Sequence, residues 1–160
     1  LKSSSGFTLV EMIIVILIIG ILAVYVYIQP NSSAPVSLYA SADFFMNDIR
    51  FAQALSMTKG HRFYITSPTS GSYEIIDRTT GVGVPDILGN PTSSFSGGVT
   101  FGTVTNLPNG TIEFDGRGVP YVDTATPGTQ LTAPALIGIT NGSQTITVTL
   151  NPQTGSVSLQ

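Results

Sequence analysis

Glu11 is a lone carboxylate in an otherwise apolar run from Phe7 to Ile28, and the bond entering that run is Gly6–Phe7. A glycine has no side chain to hinder a protease, so that bond is open to cleavage. Cutting it would create an α-amino group on Phe7, with a reference pKa of about 8, four residues before Glu11. A cation is poorly placed at a helix N-terminus and gains from a nearby anion. An acid held in an apolar surround costs several kcal/mol unless it is paired or protonated, which marks it as functional. The two charges can neutralise each other within one chain, or Glu11 of one chain can meet the Phe7 amine of the next. In low dielectric, removing one partner of such a pair costs about 3–5 kcal/mol. Glu11 is therefore a candidate registry device for stacking helices.

Other residues offer weaker chemistry. His61 is the only histidine; general-base catalysis would also need a nucleophile and an orienting acid, and a histidine closing a helix reads better as a C-terminal cation or surface residue. Asp77, Asp86, Asp115 and Asp123 supply oxygen ligands of the kind Ca²⁺ takes. None lies in a D-x-D-x-D-G run, so they read as turn-forming acids. Gly116-x-Gly118 does not open a helix and reads as a turn, not a phosphate cradle. Phe44, Phe45 and Phe51 fall at helical spacing and read as core. With no cysteine, there is neither a disulfide nor a thiolate ligand or nucleophile. No catalytic, cofactor or metal site is expected, and the chain is not read as an enzyme.

The elements that must position Glu11 come next. The 22 residues from Phe7 to Ile28 would reach about 33 Å as a helix, enough for a transmembrane span. Tyr25 and Tyr27 near its far end resemble interfacial anchors. The stretch before the run, Leu1-Lys2-Ser3-Ser4-Ser5-Gly6, is short, polar and basic, like the tail of a leader. An ordinary secretory signal would instead be cut at the far end of its apolar part, where Ala23-Val24-Tyr25 is a poor site. Lys2 before the span puts the large domain on the outer side. The chain begins without Met and is expected to be less than the whole precursor.

At the N-terminus, Gly6-Phe7-Thr8-Leu9-Val10-Glu11 followed by Ile18-Ile19-Gly20-Ile21-Leu22-Ala23 resembles the class III signal of type IV pilins and of type II secretion pseudopilins. The resemblance implies a prepilin leader at 1–6, cleavage after Gly6 by a prepilin peptidase, N-methylation of Phe7 and filament assembly through Glu11. It also implies single-pass insertion in a bacterial inner membrane with the head in the periplasm or outside, then incorporation in a filament beside other pilin or pseudopilin subunits.

Beyond the assembly helix at 7–30, Pro30 and Pro35 are expected to break the helix. An amphipathic helix follows from about Val36 to Lys59, on Leu38, Ala42, Phe45, Ile49, Ala52 and Leu55. Ser37 is the expected cap at its start and Gly60 at its end. From His61 the period becomes two. Residues 61–67 and 72–77 read as a hairpin, 78–98 as a long loop with room for one short strand, and 99–101, 111–114, 119–121, 134–140, 144–150 and 156–159 as strands, with Asn141-Gly142 turning the chain between two of them. The fold class is α+β: a long N-terminal helix, transmembrane then amphipathic, packed on an antiparallel sheet or β-sandwich-like head. The linker and second helix occupy 31–60 and the head 61–160.

Three later segments resemble the GspH/FimT minor pseudopilins: Asp48-Ile49-Arg50-Phe51-Ala52-Gln53-Ala54-Leu55, the loop Phe114-Asp115-Gly116-Arg117-Gly118-Val119-Pro120, and the closing pair around Ile146–Val157. Some FimT-type relatives bind DNA through basic residues near the C-terminus, but Gln144–Gln160 holds no Arg or Lys. Charged residues make up only 9% of the chain and its net charge is −3, against about 25% charged in typical domains. A phosphate-backbone binder needs a concentrated basic footprint, so nucleic acid is not an expected partner. The leading expectation is a minor pseudopilin or pilin of a type II secretion pseudopilus or a type IV pilus. The alternative is a tip-located binding module that contacts an exported protein, a surface or DNA.

Overall fold

A computed structural model describes residues 8–27, 33–66, 71–86 and 88–160, without the side chains of 24–27 and 33–35. The chain divides into two compact units, Leu1–Ser32 and Ser33–Gln160.

The first unit holds helix α1, Leu9–Tyr27. Its start is set by Thr8, whose Oγ1 accepts the Glu11 amide N–H at 3.3 Å, while the Thr8 carbonyl accepts the Met12 N–H at 3.2 Å. Thr8-Leu9-Val10-Glu11 thus has the S/T-x-x-E pattern of a capping box, with the threonine half formed.

The second unit opens with α2, Ser33–Lys59. Pro35 does not interrupt this helix; it lies in the first turn, where a missing N–H costs nothing because that donor has no intrahelical partner anyway. The expected start at Val36 is therefore three residues late, and Ser37 lies inside the helix, not at its cap. The break expected at Pro30 lies outside the described residues. At the other end Gly60 has φ +70° and donates its N–H to the Ser56 carbonyl at 2.9 Å, the left-handed C-terminal cap that glycine favours.

Strands β1 (Phe63–Ile65), β2 (Ser72–Tyr73), β3 (Ile75–Asp77), β4 (Gly83–Val84), β5 (Ser93–Ser94), β6 (Thr100–Thr105), β7 (Ile112–Phe114), β8 (Pro120–Tyr121), β9 (Ala135–Thr140), β10 (Thr145–Leu150) and β11 (Val157–Leu159) follow. They form three antiparallel sheets ordered β4-β3-β1-β7-β8, β11-β10-β9-β6 and β2-β5. The segment 72–77 is not one strand. Ile75–Asp77 pairs with β1 as the hairpin reading expects, but Ser72 and Tyr73 pair with Ser94 and Ser93. The long loop 78–98 accordingly contributes two short strands. Between β9 and β10 the connection is four residues: Asn141 Oδ1 accepts the Ser143 and Gln144 N–H groups at 3.0 and 2.8 Å, and Gly142 takes φ +87°.

The apolar face of α2 is spaced as the sequence requires. Leu38, Ala42, Phe45, Ile49 and Ala52 are all buried, at alternating four- and three-residue steps. They meet buried residues of both larger sheets, among them Ile65, Ile112 and Phe114 on one and Ile137, Ile139, Val148 and Leu150 on the other. Phe45 also packs edge-on against Tyr73 and Phe101, with centroids 4.9 and 5.1 Å apart. Phe44 and Phe51 are only half-buried.

Two loops are pinned to this helix by one side chain. Gln53 Nε2 donates to the carbonyls of Gly118 and Thr154, each at 2.9 Å. A Cβ on Gly155 would come within 2.7 Å of the Gly118 oxygen, and one on Gly116 within 3.0 Å of the Gly60 backbone. Glycine is required at both because backbone passes against backbone. Gln53→Ala should lower unfolding stability by about 1–3 kcal/mol, the loss of two hydrogen bonds; chemical denaturation of the two proteins checks it, and an unchanged midpoint would contradict the pinning.

Candidate functional site

Gly6 and Phe7 lie outside the described residues, so the proposed cleavage bond and amine have no geometry to report. Glu11 is described. It sits in the first turn of α1, solvent-facing, and its carboxylate has no hydrogen-bond or ion-pair partner among the described residues. Its backbone N–H is used by the Thr8 cap, which leaves the side chain free. A carboxylate here favourably faces the positive end of the helix dipole. That is a local reason for an acid at this position, separate from any partner. The T-x-x-E spacing carried the signal for the cap, and the reading of Glu11 as a pairing residue passed over it.

The surroundings of Glu11 are apolar on every side. Leu9, Val10, Met12, Ile13, Ile14, Ile16, Leu17, Ile18, Ile19, Ile21 and Leu22 are all exposed large hydrophobics. A helix apolar all round, with no polar face, is built for a non-aqueous surround such as other helices or lipid. Among the described residues no helix is long and apolar enough to cross a membrane. The described part of α1 has 19 residues, about 28 Å of helix, and the apolar run continues beyond it to Phe7 and Ile28. The expected anchoring role of Tyr25 and Tyr27 rests on side chains outside those described.

The head contains three polar clusters. In the first, Glu113 is wholly buried on β7 and receives two arginines: Arg62 Nη1 donates to Oε2 at 2.8 Å and Arg78 Nη1 to Oε1 at 2.5 Å. Arg78 Nη2 also donates to the Ala125 carbonyl and Thr126 Oγ1, and Arg62 stacks over Tyr121 at 4.2 Å. His61 lies beside them, its Nε2 3.1 Å from Asp77 Oδ2 and its ring stacked on Phe63. His61, Arg62, Arg78, Thr79 and Thr126 line an open cavity of about 420 Å³. The fold thus gathers scattered basic residues, but both arginines are held by Glu113 and His61 by Asp77. The described ring contacts of His61 go to the Lys59 carbonyl and Asp77 Oδ2, neither of them a hydroxyl. Glu113 had no sequence signal beyond an acid at a strand position, so its burial was missed.

The second cluster is the set of aspartates weighed as calcium ligands. Each turns its own loop: Asp77 Oδ1 accepts from the Thr79 and Thr80 N–H groups, Asp86 Oδ1 from Leu88 and Asn90, Asp115 Oδ1 from Arg117 and Val119, and Asp123 Oδ1 from Ala125 and Thr129. This is the local side-chain turn that aspartate favours. For Asp77, Asp86 and Asp115, desolvation pushes the carboxyl up but hydrogen bonds outweigh it, so all three sit below the usual carboxylate value. Asp123 is lowered chiefly by its bonds from Thr129.

The third cluster is buried between α2 and the β2–β5 pair. Tyr73 donates its hydroxyl to Asp48 Oδ2 at 2.8 Å, and Ser93 Oγ lies 3.1 Å from the same oxygen. Burial raises Asp48 above the ordinary carboxylate value despite these two contacts, and the charge of Asp86 adds to the rise. Tyr73 is raised by burial and then by the adjacent Asp48.

An apolar N-terminal helix bearing one unpartnered acid, together with a separate α+β unit, defines a chain that presents a helix for packing and a folded head. Residues 1–27 match the prokaryotic N-terminal methylation motif. Among solved structures, the type IV minor pilin FimU of Pseudomonas aeruginosa is similar in two crystal forms. One has a TM-score of 0.56 at 13% identity over 77% of this chain and 87% of the FimU chain. The other has a TM-score of 0.52 at 12% identity over 77% and 92%. At such identities the likeness is one of fold. No curated protein matches the sequence. The match to the methylation motif is confined to the N-terminal 27 residues, and the likeness to FimU is one of fold.

Proposed function

We propose that this chain is a minor structural subunit of a type IV pilus or of a type II secretion pseudopilus. It is processed between Gly6 and Phe7, methylated on Phe7 and built into a filament through α1. The observation that carries the proposal is the free carboxylate of Glu11 on a helix with no polar face, inside a segment that matches a methylation motif. Before assembly the apolar run 7–28 anchors the chain in the inner membrane with the head outside. In the filament, the same surface packs against neighbouring helices, and Glu11 takes the Phe7 amine of the next subunit as its counter-charge.

The head supports a structural role. Buried Glu113 is paired with two arginines, four aspartates are spent on turns, and the lone histidine is committed to Asp77 and the Lys59 carbonyl. The second reading, a tip-displayed module that contacts an exported protein or a surface, is favoured by the weakly charged face rich in Ser, Thr and Asn. DNA contact is disfavoured because Arg62 and Arg78 are both engaged by Glu113.

Processing supplies the first test. Gly6→Leu should block cleavage, because a side chain at that position fills the space that glycine leaves open to the peptidase. Intact-mass measurement of the membrane fraction should find only the uncut chain. A normal mature N-terminus beginning at Phe7 would contradict the site.

A further inference from the structure

The buried polar chain between α2 and the β2–β5 pair holds more hydrogen-bond contacts than it has protons. Ser93 Oγ lies 3.1 Å from Asp48 Oδ2 and 3.2 Å from Asp86 Oδ2, and a hydroxyl has one proton to give. If both aspartates were ionised, one of these contacts would set a lone pair against a lone pair. A proton on one carboxyl removes that conflict. Asp86 is well supplied as an anion: besides Ser93 it accepts from the Leu88 N–H, the Asn90 N–H and Asn90 Nδ2. Asp48 is not. It is wholly buried, its sure donor is the Tyr73 hydroxyl, and its Oδ1 is buried with no partner. A bare carboxylate oxygen in such a place is far costlier than a bare carbonyl oxygen.

Among the described residues no cation pairs with Asp48. On its own helix, Arg50 is bonded to the Asn47 side chain and the Val157 carbonyl, and Lys59 lies three turns away. On the elements packed against it stand Tyr73 from β2 and Asp86 from the preceding loop. Neighbouring Glu74 accepts from Thr92. Arg62 and Arg78 hold Glu113, Arg117 holds Asp115, and His61 pairs with Asp77. Among the described residues there is no group of three or more acidic, histidine or cysteine side chains that could hold a metal ion.

We propose that Asp48 is a carboxylic acid in the folded head, its Oδ2 proton donated to Ser93 and the Ser93 proton donated to Asp86, so that one ordered chain latches the β2–β5 pair and Asp86 onto α2. The Tyr73 hydroxyl donates to the same Asp48 oxygen and closes the chain on the other side. Loss of the Asp48 proton leaves two carboxylates competing for one serine proton in a dry site and loosens the latch.

The sign of the pH dependence follows. An acid whose folded pKa lies above its ordinary value of 3.8 is fully stabilising below that value. Its contribution is lost as pH rises to the folded pKa. The four turn-forming aspartates act the other way and in a lower window, losing stability as pH falls below 3.8.

The test uses the full chain in mild detergent. A carbon-13 titration of the assigned side-chain carboxyls should find Asp48 still protonated at a pH where Asp77, Asp86, Asp115 and Asp123 have ionised. Relative to Asp48→Asn, the parent's folding constant should fall about tenfold per pH unit from 3.8 up to the Asp48 midpoint and be flat above it. Tyr73→Phe removes a donor to the ionised form and should move the midpoint higher. If Asp48→Asn does not fold, the carboxyl titrations of the parent and of Tyr73→Phe decide alone. Ionisation of Asp48 together with the other aspartates, or a midpoint that shifts on adding calcium, would overturn the latch.

Discussion

Glu11→Val is expected to leave the unit Ser33–Gln160 unfolding as in the parent, while incorporation into filaments falls on the order of a hundred- to several-thousand-fold. The size follows from the cost of leaving the Phe7 amine without its anion in low dielectric, about 3–5 kcal/mol, at about 1.4 kcal/mol per factor of ten. Glu11 belongs to the unit Leu1–Ser32, outside the unit Ser33–Gln160. The local capping role gives a much smaller effect. The Thr8 bond uses the backbone N–H of residue 11, which valine retains. Removal of the acid from the helix dipole costs only about 0.3–1 kcal/mol. Thr8→Val is the control: it removes the cap, at about 1 kcal/mol, and should reduce incorporation only modestly. Quantifying each variant in sheared filaments separates the two roles, and a Thr8→Val defect as large as that of Glu11→Val would assign Glu11 to helix capping.

The second large effect lies in the head. Replacing both Arg62 and Arg78 by Met leaves Glu113 buried with neither of its ion-pair partners. Breaking a buried pair in this way costs about 3–5 kcal/mol, a large share of the stability of a small domain. Adding Glu113→Leu to the same protein removes the stranded charge and should recover most of the loss, because an apolar set of similar volume often replaces a buried ionic cluster without penalty. The three sites share one network, so the effects must be strongly non-additive. Thermal unfolding of the double and triple variants checks this. A triple variant no more stable than the double would mean that packing of the arginine stems, not charge pairing, holds this corner.

The sequence was legible where one periodicity ran undisturbed. The α2 face from Leu38 to Ala52 recurs every three or four residues and is buried as that spacing demands. The hairpin of β9 and β10 follows from the every-second-residue sets Ala135, Ile137, Ile139 and Ile146, Val148, Leu150 on either side of Asn141-Gly142. The elements that escaped were decided by tertiary partners. Tyr73 lies one residue before Glu74 and β3, yet its neighbour is Ser93, some twenty residues on, because its ring completes the aromatic cluster around Phe45 and its hydroxyl reaches Asp48. Nothing local separates Ser72–Tyr73 from Ile75–Asp77. Pro35 misled in the other direction: a rule against proline inside helices does not apply in the first turn, and only the true helix start reveals which case holds. At the candidate site, the carboxylate of Glu11 and the apolar run could be read from residue types alone. The Thr8 cap was also encoded, in the T-x-x-E spacing, but was outweighed by attention to charge. Glu113 was invisible, since its two arginines come from β1's entry and β3's exit.

The pairing of Glu11 with a neighbour's amine is open to direct observation in a filament density map that resolves side chains. Assembly by a trans ion pair predicts the Glu11 carboxylate within about 4 Å of the Phe7 amine of an adjacent subunit, shielded from water by apolar side chains of both helices. A carboxylate turned to solvent, or paired only with the amine of its own chain, would contradict it.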